Sequence, residues 1–120
     1  KEEVTTFLKN IDITEKEINV ILHCIEAHDG RFKAESFEAK LVHDADTLDK
    51  MGAMGVIRET WKRTSAGWTS DQIAEHLEKH LKKRMENLYT NEAKKLANEL
   101  NNNLVPFFDE LNKIIGGQIK

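Results

Sequence analysis

What most constrains this chain is how little in it can break a helix. One proline and six glycines are spread over 120 residues, and no stretch alternates apolar and polar residues as a half-buried strand does. Apolar residues recur instead at helical steps, so the pattern predicts an all-α fold. Capping signals place the helices. Lys1–Asn10 reads as a helix already under way, with Val4, Phe7 and Leu8 on one face. Thr14-Glu15-Lys16-Glu17 is a capping box, in which the hydroxyl takes one orphan amide and Glu17 reaches back to another. Ile18, Ile21, Leu22 and Ile25 form the stripe behind it, and Asp29-Gly30 closes the helix. Ser36 caps a third helix. Val56 to Trp61 is helical, Thr64 to Trp68 reads as loop, and Thr69 with Gln72 makes a second capping box. The long polar helix after it carries Ile73, Leu77, Leu81, Met85 and Leu88 inward. Thr90 caps the last helical pattern, with Ala93, Leu96, Ala97 and Leu100 inward. Pro106 breaks that pattern, because it has no amide to donate, and Gly116-Gly117 ends it.

This length suits one helical domain over residues 1–120. With 39% hydrophobic and 32% charged residues, the composition is that of a soluble globular protein. A net charge of −3 gives no basic surface for nucleic acid or anionic lipid, and no apolar run is long enough for a membrane span. The single cysteine, Cys24, excludes an internal disulfide and fits a reducing, cytoplasmic setting. Its apolar surroundings in the sequence predict core filler rather than a nucleophile.

The densest chemistry lies in V-H-D-A-D-T-L-D-K-M at 42–51, followed by G-A-M-G-V-I-R. At about 3.6 residues per turn, Phe37, Leu41, Ala45 and Leu48 form a central apolar line. Glu38, Asp46 and Asp49 fall along one flank of it, Asp44 along the other, and His43 points away. Carboxylates crowded on one edge repel unless a cation or hydrogen bonds offset them. A divalent metal would do so, and so would salt bridges to Lys33, Lys40 or Lys50. Spacing supports both readings and does not choose between Asp44 and Asp46. Gly52 and Gly55, just beyond, predict a bend or close packing.

Two further groups of histidines stand out. His28 extends the Ile18–Ile25 stripe and faces inward, where a histidine is more often a satisfied core residue than a ligand. His76 and His80 are four apart, a spacing that can clamp zinc. They lack the glutamate of H-E-x-x-H and a nearby third ligand, and the helix around them is strongly charged, so they read as a solvated face.

H-D-G at 28–30, then F-E-A-K-L-V-H-D-A-D-T-L-D-K-M-G-A-M-G-V-I-R, resembles the second half of an HD-domain metal-dependent phosphohydrolase. The small single-domain branch found in bacteria and archaea is the part of the superfamily it is most similar to. Y-T-N-E-A-K-K-L-A-N-E-L and F-F-D-E-L resemble that branch's closing helices. The resemblance implies a helical HD-type bundle. It assigns Asp46 as the final metal-ligating aspartate and His28 as an inward histidine that contacts substrate phosphate or a second metal. Arg58 becomes a residue for the phosphate or for a structural ion pair, with Lys40 and Asp49 as weaker neighbours of the pocket.

The implied cofactor is a divalent ion (manganese, magnesium, nickel, iron, cobalt or zinc). The implied substrate is a phosphomonoester or a nucleotide-type phosphoester. Neither His28-Asp29 nor His43-Asp44 fits the family's His-Asp pair, which lies upstream of the first helix here. The expectation is therefore a C-terminal portion of the domain, incomplete at its amino end and prone to associate with a second copy. A non-catalytic helical interaction module, or a degenerate or truncated homologue without a complete metal site, is the competing reading. An unrelated helical bundle that binds a metal or small ligand through His28 and the carboxylate edge is another.

Overall fold

The computed structural model describes residues 1–117, and over these the chain is helical, with no strand. It forms two compact units, Lys1–Asp46 and the residues from Thr47 onward. The helices are α1 (Glu2–Lys9), α2 (Glu15–Ala27), α3 (Phe37–Leu48), α4 (Gly52–Ser65), α5 (Ser70–Met85), α6 (Asn91–Asn102) and α7 (Val105–Ile115). The expected all-α class is what forms. No described helix is long and apolar enough to cross a membrane.

In the first unit, α1 packs on α2. The capping box at Thr14 is complete: Glu17 N–H donates to Thr14 Oγ1 at 3.1 Å, and Thr14 N–H donates to Glu17 Oε2 at 2.7 Å. The stripe behind it is shallower than its sequence suggests. Ile18 is buried, Ile21 and Leu22 are half-buried, and Ile25 is exposed. The loop after α2 turns through Gly30, whose φ of +82° favours glycine. Glu35 N–H donates to His23 Nε2 at 3.0 Å, which anchors that loop to α2. Ser36 Oγ then accepts from Ala39 N–H at 3.1 Å and starts α3 as expected.

The face that α3 buries differs from the expected one. Phe37 and Leu41 are exposed, whereas Ala39, His43 and Asp44 are buried, the last two at 5% and 3% exposure. A helix turns its smallest side chains toward the closest neighbour, and here Ala39 sets that face. His43 therefore does not point away from the core. Its Nε2 lies 3.5 Å from where a Cβ on Gly30 would stand, so the ring covers that glycine.

The second unit is held by two apolar clusters. Ile73, Leu77 and Leu81 of α5 meet Leu104 and Phe108 at the start of α7 and along it. Met51, Leu88, Ala93 and Ala97 form the other cluster, with Leu48, Met85 and Leu100 packed against it. The capping box at Thr69 and Gln72 is complete, and Thr90 caps α6. Pro106 lies in the first turn of α7, where a missing amide costs nothing, so it separates α6 from α7 rather than kinking one helix. Helix α4 runs on to Ser65, two residues into the expected loop, and the chain then turns through Gly67 at φ +88°.

Gly52 and Gly55 allow α4 to form where it does. Gly52 has φ +65°, and a Cβ there would sit 3.0 Å from Leu100. A Cβ on Gly55 would collide with the Lys50 carbonyl and press on Leu81 at 3.0 Å. The close approach expected of these two glycines is therefore real, and it brings α4 directly onto α5.

Candidate functional site

That approach has a consequence one turn further along α4. Gly52, Gly55 and Glu59 are its buried residues, while Met54, Ile57 and Trp61 lie exposed on the other side. Glu59 is 1% exposed, among the most deeply buried large side chains of the chain. A lone carboxylate at that depth is strongly disfavoured unless it is paired and hydrogen-bonded.

Four side chains meet that requirement. Arg63, one turn on, donates from Nε to Glu59 Oε1 at 2.6 Å. His76 Nε2 lies 3.0 Å from the same oxygen. On the other oxygen, Oε2, Arg84 Nη2 and His80 Nε2 each approach to 3.3 Å. Arg84 Nη2 is also 3.0 Å from His80 Nε2 and donates through Nη1 to the Lys50 carbonyl. Aromatic contacts close one side. Arg63 stacks 4.5 Å over Trp68, whose ring meets His76 edge-on at 5.1 Å. The His76 and His80 rings lie 4.6 Å apart.

Protonation follows from these contacts. A guanidinium only donates, so the Arg84–His80 contact requires a lone pair on His80 Nε2 and places that ring's proton on Nδ1. Burial pushes the His80 pKa down from its ordinary 6.5; the Glu59 charge opposes this and the Arg84 charge adds to it. Burial pushes Glu59 up, but hydrogen bonds from Arg63 and His76 outweigh it and hold the carboxyl below its ordinary 4.5. At neutral pH the cluster therefore holds one carboxylate, two guanidiniums and a neutral His80.

Glu59, His76 and His80 offer ligand atoms that all lie within 4.8 Å of one another, and such a group could hold a metal ion. Among the described residues, no other group of three His, Cys, Asp or Glu side chains does so. His76 and His80 are thus neither a solvated face nor short of a third ligand. That ligand comes from α4, seventeen residues before His76.

The residues singled out by the resemblance lie elsewhere. His28 caps α2 and is half-buried; its Nδ1–H donates to the Ile25 carbonyl at 2.6 Å, which leaves Nε2 to meet a ligand. Asp46 is half-buried in α3, in the same unit as His28. Asp44, two residues before it, is the buried member of the pair that spacing left open. An imidazole nitrogen and a carboxylate oxygen are donors that suit a borderline divalent ion. Arg58, in the second unit, is exposed and pairs with Asp49 at 2.8 Å. Neither Asp46 nor His28 belongs to the Glu59 group. Cys24 is half-buried, and burial, reinforced by the Glu38 charge, pushes its thiol up, as suits filler rather than a nucleophile.

Comparison with known proteins bears on the fold. No protein-family model matches the chain, and no curated protein matches it. Among solved structures, the crystal structure of Bacillus subtilis YpgQ is similar to it, with 28% identity and a TM-score of 0.78. The likeness covers 97% of this chain and 64% of that one. The chain thus spans less than two thirds of the length of the protein it matches.

Proposed function

We propose that these residues form the C-terminal part of an HD-type metal-dependent phosphohydrolase, acting in the cytoplasm on a phosphomonoester or nucleotide-type phosphoester. One observation carries the reading. In the D-A-D-x-L-D-x-x-G-A-x-G element, Asp44 and Asp46 lie in the last turns of α3, Asp49 follows it, and both glycines sit at contacts that a side chain would crowd. Carboxylates mounted on a helix are the kind of ligand a divalent ion takes. This chain is similar in fold to part of a longer protein, which agrees with its being one portion of a larger domain.

In this reading Asp46 holds a divalent ion through its carboxylate, and the remaining ligands come from the upstream elements. When bound, such an ion polarises a phosphoryl oxygen and lowers the pKa of a bound water. The rest belongs to side chains of this chain. With Nδ1–H tied to the Ile25 carbonyl, His28 donates from Nε2 to a phosphate oxygen once it is protonated. Arg58, paired with Asp49, carries a planar fork of the kind that suits a phosphate.

The test is metal-dependent phosphate release from a nucleotide and sugar-phosphate panel, using the natural polypeptide that contains these residues. Asp46→Asn is expected to abolish it and to keep the helical circular dichroism. No release with any divalent ion, or equal release by the variant, would sink the reading.

A second reading, a helical interaction module that associates through an apolar face, is favoured by Met54, Ile57 and Trp61. They are exposed at successive turns of α4, Trp61 to 75%. If that face joins two copies, Trp61→Glu turns a dimer into a monomer in light scattering. A parent protein that is already monomeric discards it.

A further inference from the structure

The Glu59 cluster is not part of the phosphohydrolase reading, and its geometry asks what an arginine is doing between two metal-type ligands. We propose that Glu59, His76 and His80 form a separate transition-metal site, in which Arg84 occupies the metal position when no ion is bound.

Three observations support this. The first is spacing. Ligand atoms around a tetrahedral zinc with bonds of 2.0–2.1 Å stand about 3.3 Å apart. Each imidazole approaches one oxygen of the carboxylate near that spacing, His80 Nε2 to Oε2 at 3.3 Å and His76 Nε2 to Oε1 at 3.0 Å. The three ligand atoms lie within 4.8 Å of one another. The second is the tautomer. His80 turns the lone pair of Nε2, not a proton, toward Arg84 Nη2, the place proposed for the metal, as a ligating imidazole must. Two acceptors 3.3 Å apart repel unless a cation lies beside them. Arg84 Nη2 is that cation, 3.0 Å from the imidazole and 3.3 Å from the carboxylate. The third is mounting. The histidines share one face of α5, and Glu59 sits on the face of α4 that the glycines press against α5. Such rigid placement keeps three donors converged without a ligand to gather them.

Two imidazoles and one carboxylate select zinc, cobalt or nickel over magnesium or calcium, which prefer oxygen alone. Loading moves the Arg84 fork aside, and Arg63 stays on the far lone pair of Oε1 as a hydrogen-bond donor that orients the ligand carboxylate. To bind the ion, His76 turns a lone pair on Nε2 toward it and carries its proton on Nδ1. Guanidinium and metal exclude each other, so removing the guanidinium charge favours the metal.

The experiment uses the protein without an affinity tag, stripped with chelator and titrated with cobalt(II). The readout is the intense visible absorption of four-coordinate cobalt, with zinc added to displace it. The parent protein is expected to give that spectrum from one four-coordinate ion per chain, beside any ion held at Asp46. His76→Gln or His80→Gln is expected to weaken binding by about a hundredfold, the upper end of what outer-shell partners alone contribute. Arg84→Gln is expected to tighten it by about tenfold, through loss of one nearby positive charge. Asp46→Asn is expected to leave the spectrum unchanged, which separates this site from the α3 carboxylates. Circular dichroism checks that each variant folds, and either histidine variant suffices. A parent protein with no such spectrum overturns the proposal whatever Arg84→Gln does. So does a spectrum that both histidine variants retain, or one that Asp46→Asn removes.

Discussion

Helix α3 and the α4–α5 contact handle negative charge in opposite ways. In α3 the acids are local and graded in depth, with Glu38 exposed, Asp44 buried and Asp46 half-buried. At α4–α5 a single carboxylate is buried to 1% and gathers two guanidiniums and two imidazoles. Asp44 has a neighbouring imidazole, His43 Nδ1 at 3.5 Å, so in α3 the charge is met locally. The α4–α5 carboxylate is neutralised by cations that converge on it, so a further cation enters only by displacing one. A metal would thus meet spread acids in the first and a converged cluster in the second. Acid density in the sequence marks only the first.

The largest effect that would break this contrast is at Glu59. Replacing it by Gln leaves Arg63 and Arg84 facing a neutral amide. Breaking a buried pair by removing one partner costs about 3 kcal/mol or more, and urea unfolding at neutral pH reads it directly. Asp46→Asn, on a half-buried helical position, is expected to cost about 1 kcal/mol or less. Equal losses at the two positions would mean that the contacts Asp46 makes hold the fold as strongly as those of Glu59.

Next in size is Gly55→Ala. The added methyl meets the Lys50 carbonyl, which is backbone and cannot swing aside, as well as Leu81. Overpacking of this kind costs about 1–3 kcal/mol, and the strain falls on the contact that delivers Glu59 to α5. The cobalt spectrum should therefore weaken along with the melting temperature. Gly67→Ala meets nothing within 4 Å, yet carries the penalty of φ +88°. It should lower stability by about 1 kcal/mol and leave the spectrum intact.

Titration takes the α4–α5 cluster apart group by group. The His80 pKa is lowered in the fold, so below 6.5 the unfolded chain takes up that proton first and stability falls. The Glu59 pKa is also lowered, so its contribution is present above 4.5 and is lost as pH falls through the folded value. The metal-free protein should thus lose stability in two stages on acidification, and His80→Gln should remove the upper one. If the upper stage survives that change, another histidine carries it.

How much of this could be read from the sequence depends on range. The caps at Thr14, Ser36, Thr69 and Thr90 were legible because each bonds to an amide three residues away. Gly52, Gly55 and Pro106 were legible because their backbone constraints are their own. The faces of α3 and α4 were not, because an apolar stripe predicts burial only where a neighbour comes close, and here the small residues set that approach. Ala39 turned α3, and Gly52 with Gly55 turned α4. The α4–α5 site was half legible, as His76 and His80 at one helical repeat. Its third member was missed because Glu59 sits among Arg58, Thr60 and Lys62, a neighbourhood that reads as solvated. The usable signal was its register, four residues after Gly55 and seven after Gly52. A carboxylate on the glycine face of a helix is bound to be buried.

The smallest expected effect sharpens the contrast most cleanly. Arg58 and Asp49 form an ion pair whose side chains are 49% and 62% exposed. An exposed pair is worth about 0–1 kcal/mol, so Arg58→Ala should scarcely move the unfolding midpoint. The buried pairs around Glu59 have no such freedom, and any loss of function there is entangled with folding. At Arg58 the two are separable. If the natural polypeptide loses phosphate release on Arg58→Ala while its stability holds, the guanidinium acts on substrate charge, and Asp49 only positions it. Asp49→Ala should then lower activity less than Arg58→Ala does, and chiefly through a raised KM, because the fork remains but is no longer held. If both variants keep full activity, the pair is a surface ornament of α4, and phosphate recognition must be sought at His28 and the α3 acids.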